Sequence, residues 1–95
     1  MKNNIPSVEA LESAHEFPAT YMIKAFGPHE QAFVDAVDLA ARRIVTDVAT
    51  LVVEQRLSSA GNHVCVSVSA TFSSAEHTQA LYRELLDVPG MRLLL

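Results

Sequence analysis

Four histidines, a single cysteine and a few charged pairs are the side chains of this chain with chemistry to offer. A tetrahedral metal site needs ligands that converge, usually as closely spaced Cys or His pairs. His15, His29, His63 and His77 include no i, i+4 pair, and no Cys or carboxylate cluster completes a set. No metal and no cofactor is expected. Asn62-His63 adjoins a turn and His77 falls in the first turn of a helix, so both are read as solvated surface. Cys65 sits in an alternating strand opposite Arg56, and a nearby cation lowers a thiol's pKa and makes it reactive. No histidine adjoins it in that register, so a Cys–His nucleophile has no support. The plainer reading is a small side chain on a half-covered sheet face. Glu54 and Arg56 are the one pair to inspect for acid–base work, which needs paired titratable groups with perturbed pKa values in a cleft. Their expected role is a diagonal surface contact. No catalytic residue is assigned, and the chain is not expected to be an enzyme.

A second constellation is cationic. By alternation Lys24 lies on the open face of a sheet with Arg56, and Arg92 shares that face if the last strand pairs antiparallel with the first. Together they would make a small basic strip on an acidic protein, suited to an anionic ligand or an acidic partner segment. The bland alternative is three solvated cations. A row of hydroxyls, Ser67, Ser69 and Thr71, lines the same face and is ordinary for an antiparallel sheet with one wet side.

Composition narrows the partners. The 95 residues carry 7 Lys and Arg against 11 Asp and Glu, a net charge of −4, and so lack the basic footprint of a nucleic-acid binder. Sheets of this kind bind RNA through exposed aromatics and basic residues, and here Phe26 and Tyr82 are the only loose aromatic candidates. A lone cysteine excludes an internal disulfide framework and any multi-cysteine metal site. The apolar fraction of 49% without Trp predicts one modest core rich in Val and Leu. The first sixteen residues hold Lys2 beside Glu9, Glu12 and Glu16, with no apolar run to act as a signal-peptide core. No stretch approaches the ~20 apolar residues that span a bilayer. A cytoplasmic protein with no membrane partner is expected.

The elements that must position these residues follow from hydrophobic period. Residues 1–16 form an appendage in which Ser7 caps a short helical turn with Val8, Leu11 and His15 on one face. Thr20 to Phe26 alternates, with Tyr21, Ile23 and Ala25 on one side and Met22, Lys24 and Phe26 on the other. Gly27-Pro28 is expected to stop this strand and open a helix, glycine as cap and proline in the first position. That helix runs to about Val45, with Phe33, Val37, Ala40, Ala41 and Ile44 on its apolar face. Val48 to Leu57 and Val64 to Phe72 form a hairpin about Ala60-Gly61, pairing Leu57 with Val64, Val53 with Val68 and Leu51 with Ala70. The other face then pairs Arg56 with Cys65, Glu54 with Ser67 and Thr50 with Thr71, and a one-residue slip would bury polar groups. Ser73 and Glu76 have capping-box spacing, Leu81 and Leu85 mark the second helix, and Met91 to Leu95 is a final strand. The order strand, helix, strand, strand, helix, strand predicts a ferredoxin-like α+β sandwich: a four-stranded antiparallel sheet with two helices on one face.

Four segments carry a family resemblance over residues 17–95. They are Phe17-Pro18 leading through Lys24 to Gly27, and Phe33-Val34-Asp35-Ala36-Val37. The third is Ser58-Ser59-Ala60-Gly61-Asn62 leading into Val66-Ser67-Val68 and Ala70-Thr71. The last is Leu81-Tyr82-Arg83-Glu84-Leu85 followed by Arg92-Leu93-Leu94. In these the chain resembles the YbeD-like family, small bacterial domains of unknown function. The resemblance implies a ferredoxin-like fold similar to ACT regulatory domains, and no catalytic residues. ACT ligand sites lie at the first strand-to-helix loop, here Gly27-Pro28-His29-Glu30, which makes Gly27 a ligand candidate. This loop has one glycine, and its proline offers no N–H donor.

The resulting expectation is a non-enzymatic regulatory or binding module acting through a protein partner or a small ligand, with Lys24, Gly27, Arg56 and Arg92 as contact residues. The alternatives are an amino-acid sensor of ACT type and an enzyme using the open sheet face. A weak homodimer is also expected, because edge strands must be blunted or paired. The last strand has only Arg92 as gatekeeper, whereas Glu54 and Arg56 protect the other edge. The tail or the 1–16 appendage is expected to cover part of the sheet.

Overall fold

A computed structural model describes residues 5–95. In chain order the elements are α1 (Val8–Ala14), β1 (Ala19–Pro28), α2 (Gln31–Ile44), β2 (Val52–Leu57), β3 (His63–Phe72), α3 (Ala75–Leu86) and β4 (Leu93–Leu94), with a 3-10 turn at Val48–Thr50. The sheet is antiparallel throughout, in the order β2-β3-β1-β4. From β1 onward this is the expected βαββαβ arrangement.

Alternation decides which side of the sheet α2 and α3 cover. Val64, Val66, Val68, Ala70 and Phe72 of β3 are all buried, as are Ile23 and Ala25 of β1 and Leu94 of β4. They meet Phe33, Val37, Ala40 and Ala41 from α2 and Leu81, Tyr82 and Leu85 from α3 in one cluster, with Ile44 half-buried at its margin. Cys65, Ser67 and Ser69 stand on the opposite face, as the register requires. That register is the expected one over the length of β2: Leu57 opposite Val64, Arg56 opposite Cys65, Glu54 opposite Ser67 and Val53 opposite Val68. Gln55 opposite Val66, the one poor match, is tolerated because β2 is an edge strand and Gln55 remains exposed.

Boundaries differ in five places, each for a local reason. Gly27 and Pro28 continue β1, opposite Val64 and His63, and the helix starts only at Gln31 with Glu30 as N-cap. Gly27 is needed there for space: a methyl group on it would overlap the Phe33 ring. Residues 48–50 form a 3-10 turn, not strand, because the Thr50 hydroxyl accepts the Thr71 N–H at 2.9 Å and donates to the Asp47 carbonyl at 2.7 Å. A side chain thus replaces one rung of the ladder. The hairpin loop holds four residues, not two, since Ser58 N–H still bonds the His63 carbonyl at 2.9 Å. The α3 N-cap is Ser74, whose hydroxyl accepts the His77 N–H at 3.1 Å, so the cap falls one residue after Ser73 and the expected Ser73–Glu76 box does not form among the described residues. Finally β4 is only two residues long.

The appendage folds but does not cover the sheet. Ser7 caps α1 through the Ala10 N–H at 3.1 Å, and Leu11 is buried. The helix packs on α3, held by Gln79 donating to the Pro6 carbonyl at 2.9 Å and by His15 standing edge-on to Tyr21 at 5.0 Å. So short a helix needs such a partner, and it finds one in the helix layer, whose apolar margin accepts Leu11. The expected cover over the open face is therefore absent among the described residues; residues 1–4 of the appendage lie outside them.

Candidate functional site

The uncovered sheet face reads as rows that run across the strands. Phe26, Cys65 and Arg56 form one row, Lys24, Ser67 and Glu54 the next, and Met22, Ser69 and Val52 a third. Beyond them Thr20 and Thr71 bring their hydroxyls to 3.5 Å. Met22, Lys24, Glu54, Gln55, Arg56, Cys65 and Ser67 line an open concavity of about 620 Å³. Strand pleating explains the grouping, since alternate residues of neighbouring strands stand side by side on one face.

Lys24 and Arg56 are thus brought together across Ser67 and Cys65. Arg92 is not among the residues lining this concavity. Its N–H donates to the Phe26 carbonyl at 2.9 Å just before β4, and it is Leu93 and Leu95 that lie opposite Phe26 and Lys24. Of the three expected cations, Lys24 and Arg56 line the concavity, and Arg92 is exposed outside it. Gly27 also leaves the set. It is buried in β1 with the Phe33 ring over it, so its backbone is closed to a ligand from that side.

Charge is segregated between the layers. Of the 11 acidic residues only Glu54 stands in a strand; the rest lie on helices or in the connecting segments. Of the helix arginines, Arg42 and Arg43 are paired with Asp38 at 3.0 Å and Glu84 at 2.8 Å, while Arg83 of α3 makes no ion pair among the described residues. Among the described residues Lys24 and Arg56 make no ion pair. The open face is therefore locally cationic on an acidic protein.

The histidines serve the scaffold. His77 is half-buried, not solvated: its Nε2 donates to the Ile44 carbonyl at 2.7 Å, leaving Nδ1 to accept from the Ser73 hydroxyl at 3.4 Å. This ties the start of α3 to the end of α2. His29 Nδ1 donates to the Gly61 carbonyl at 3.1 Å and so joins the β1–α2 turn to the hairpin loop. His63 is exposed. No group of three His, Cys, Asp or Glu converges among the described residues. Tyr82, one of the two loose aromatics, is buried with its hydroxyl 3.0 Å from that of Tyr21. Burial first, then the Tyr21 hydrogen bond and charge, push its phenol well above the ordinary value. Alternation alone could not reveal this pair, because Tyr21 lies where the sheet's apolar side meets the appendage.

Comparison with known proteins matches this framework to a family. Residues 12–95 match a family model described as a protein of unknown function (DUF493). A UPF0250 protein of Leptothrix cholodnii is 36% identical over 84 residues, covering 88% of this chain and 92% of the relative. A UPF0250 protein of Ralstonia nicotianae is 29% identical over 93 residues, covering 98% and 96%. Another from Paraburkholderia phytofirmans is 31% identical over 84 residues, covering 88% and 94%.

Proposed function

The chain belongs to the DUF493 family, proteins of unknown function, and we propose that it is a non-catalytic binding module whose open sheet face receives an acidic segment of a partner protein. The observation that carries this is the charge distribution: unpaired Lys24 and Arg56 stand beside a hydroxyl row on an acidic protein whose acids, Glu54 excepted, lie on helices or in connecting segments. An extended acidic segment complements such a face electrostatically, and repulsion from the helix layer steers it there. The concavity is broad and open, which suits a peptide better than a small molecule, whose sites are enclosed and largely apolar. An amino-acid sensor built on the first strand-to-helix loop would need backbone access at Gly27, and the Phe33 ring occupies that space.

A hexaglutamate peptide titrated into the isotope-labelled chain tests this by NMR. Amide shifts are expected to cluster at Lys24, Arg56, Cys65 and Ser67, and to vanish in a variant with Lys24 and Arg56 both replaced by Ser. Equal binding by that variant, or shifts scattered over α2 and α3, defeats the reading.

A further inference from the structure

We propose that two copies of this chain pair through their β2 strands, antiparallel about a two-fold axis at Gln55, joining two four-stranded sheets into one. The hydrogen-bonding phase of β2 is set by Ser58, whose N–H bonds the His63 carbonyl on the β3 side. Even-numbered residues of β2 therefore direct their backbone groups to β3, and Val53, Gln55 and Leu57 direct theirs outward. These outward groups are an open edge, which another strand can complete. β4, with two residues, offers much less.

The side chains of this edge are complementary to themselves. With Gln55 opposite Gln55 of the second copy, each Glu54 faces the other copy's Arg56, and each Val53 faces the other copy's Leu57. The Glu54–Arg56 positions fall in non-hydrogen-bonded pairs, where opposed side chains approach most closely. A two-fold interface requires this kind of self-complementarity. Charges that block pairing with an arbitrary strand thus select a copy of the same strand, in one register. A second feature of the edge agrees. Leu57 is 49% exposed, although it points toward the helix side, and it borders a groove of about 340 Å³ with Val34, Gln55 and Val64. The second copy's Val53 would lie beside that groove and cover Leu57. The pairing engages Glu54 and Arg56 and leaves Lys24 of each copy free, so it competes with an acidic segment for Arg56. It rests on the open β2 edge and not on that reading, and self-association measured without any peptide tests it separately.

Sedimentation velocity of the full chain over a concentration series tests the proposal, with circular dichroism confirming that each variant is folded. The wild type is expected to show a concentration-dependent dimer weakened by salt. Arg56→Glu and Glu54→Arg each replace two attractive contacts by two repulsive ones and should each weaken self-association about tenfold or more. An equimolar mixture of these two variants should form a heterodimer, and the double variant Glu54→Arg/Arg56→Glu should regain the homodimer. A wild type that stays monomeric at millimolar concentration overturns the proposal. A dimer indifferent to the single reversals, or one that neither the mixture nor the double variant restores, overturns it equally.

Discussion

The two faces of β3 are made from alternate residues of one strand, yet they are specified by different physics. Toward α2 and α3 stand Val64, Val66, Val68, Ala70 and Phe72, none more than 1% exposed. Toward the open side stand Cys65, Ser67, Ser69 and Thr71, half-buried and flanked by Lys24, Glu54 and Arg56. On the first face a side chain is acceptable if its volume fits, because interiors are close-packed and cavities are costly. On the second, volume matters little and charge decides what can approach. Substitutions on the covered face should therefore be read out as stability, and substitutions on the open face as association.

The sharpest break of this contrast is at Phe33, which fills the slot between α2 and the end of β1. Its ring lies against Gly27, and a methyl at Gly90, where φ is +89°, would come within 3.7 Å of it. Phe33→Ala should cost about 3–5 kcal/mol, since the rigid strand cannot collapse into the space left behind. Urea unfolding monitored by circular dichroism measures it, and a loss under 1 kcal/mol would mean that the slot is not tightly packed.

Gly27→Ala attacks the same contact from the sheet. The added methyl collides with the ring, and overpacking of this kind costs about 1–3 kcal/mol. Phe33→Leu in the same chain should recover part of that loss, because two residues in contact couple where distant ones add. Strict additivity in a double-mutant cycle would show that Gly27 is retained for another reason.

A smaller effect is expected at Tyr82, on the covered face but at its polar margin. Tyr82→Phe leaves the Tyr21 hydroxyl without its 3.0 Å partner and should cost about 1 kcal/mol at neutral pH. The same site makes stability pH-dependent at alkaline pH. The folded state raises the Tyr82 phenol above its ordinary value of about 10, so the folded chain keeps a proton that the unfolded chain gives up. That stabilisation is complete below about pH 10 and is lost as pH climbs from there toward the folded-state value. Thermal unfolding followed upward from about pH 8 should show a steeper decline for the wild type than for Tyr82→Phe. Parallel declines would remove Tyr82 as the cause.

The contrast between the faces also explains what was legible in the sequence. Strand alternation is a strong signal where one face is buried, and so the β2–β3 register and the core positions in β3 follow from pattern alone. The end of β1 was not legible, because Gly27-Pro28 has the composition of a helix entry. Only the Phe33 ring, which belongs to the helix pattern of α2 and folds back over β1, shows why glycine is required within the strand. Nor was the placement of α1 on α3 legible: Val8, Leu11 and His15 define an apolar side but not its partner. The candidate site was half visible. Alternation placed Lys24 and Arg56 on one face, but Arg92 depended on where β4 begins, and a two-residue strand has no period to read.

The smallest expected effect is at Ser67, and it tests the contrast most directly because Val66 is its neighbour. Ser67 lies opposite both Lys24 and Glu54 in the central row of the open face. Its hydroxyl makes no protein hydrogen bond among the described residues, so removing it strands no buried partner. Valine gains somewhat in strand preference and loses one solvated hydroxyl. Ser67→Val should therefore change stability by no more than about 0.5 kcal/mol. In a domain of this size that is a shift of about 2–4 °C in melting temperature. Val66→Ser, one residue away, removes apolar volume from a fully buried site and places a hydroxyl there without a partner. It should cost at least about 2 kcal/mol. If the two substitutions prove comparable by thermal melting, the open face is buried in solution by something that the isolated chain does not reveal. Sedimentation of the same Ser67→Val sample would then show whether a second copy is the cover.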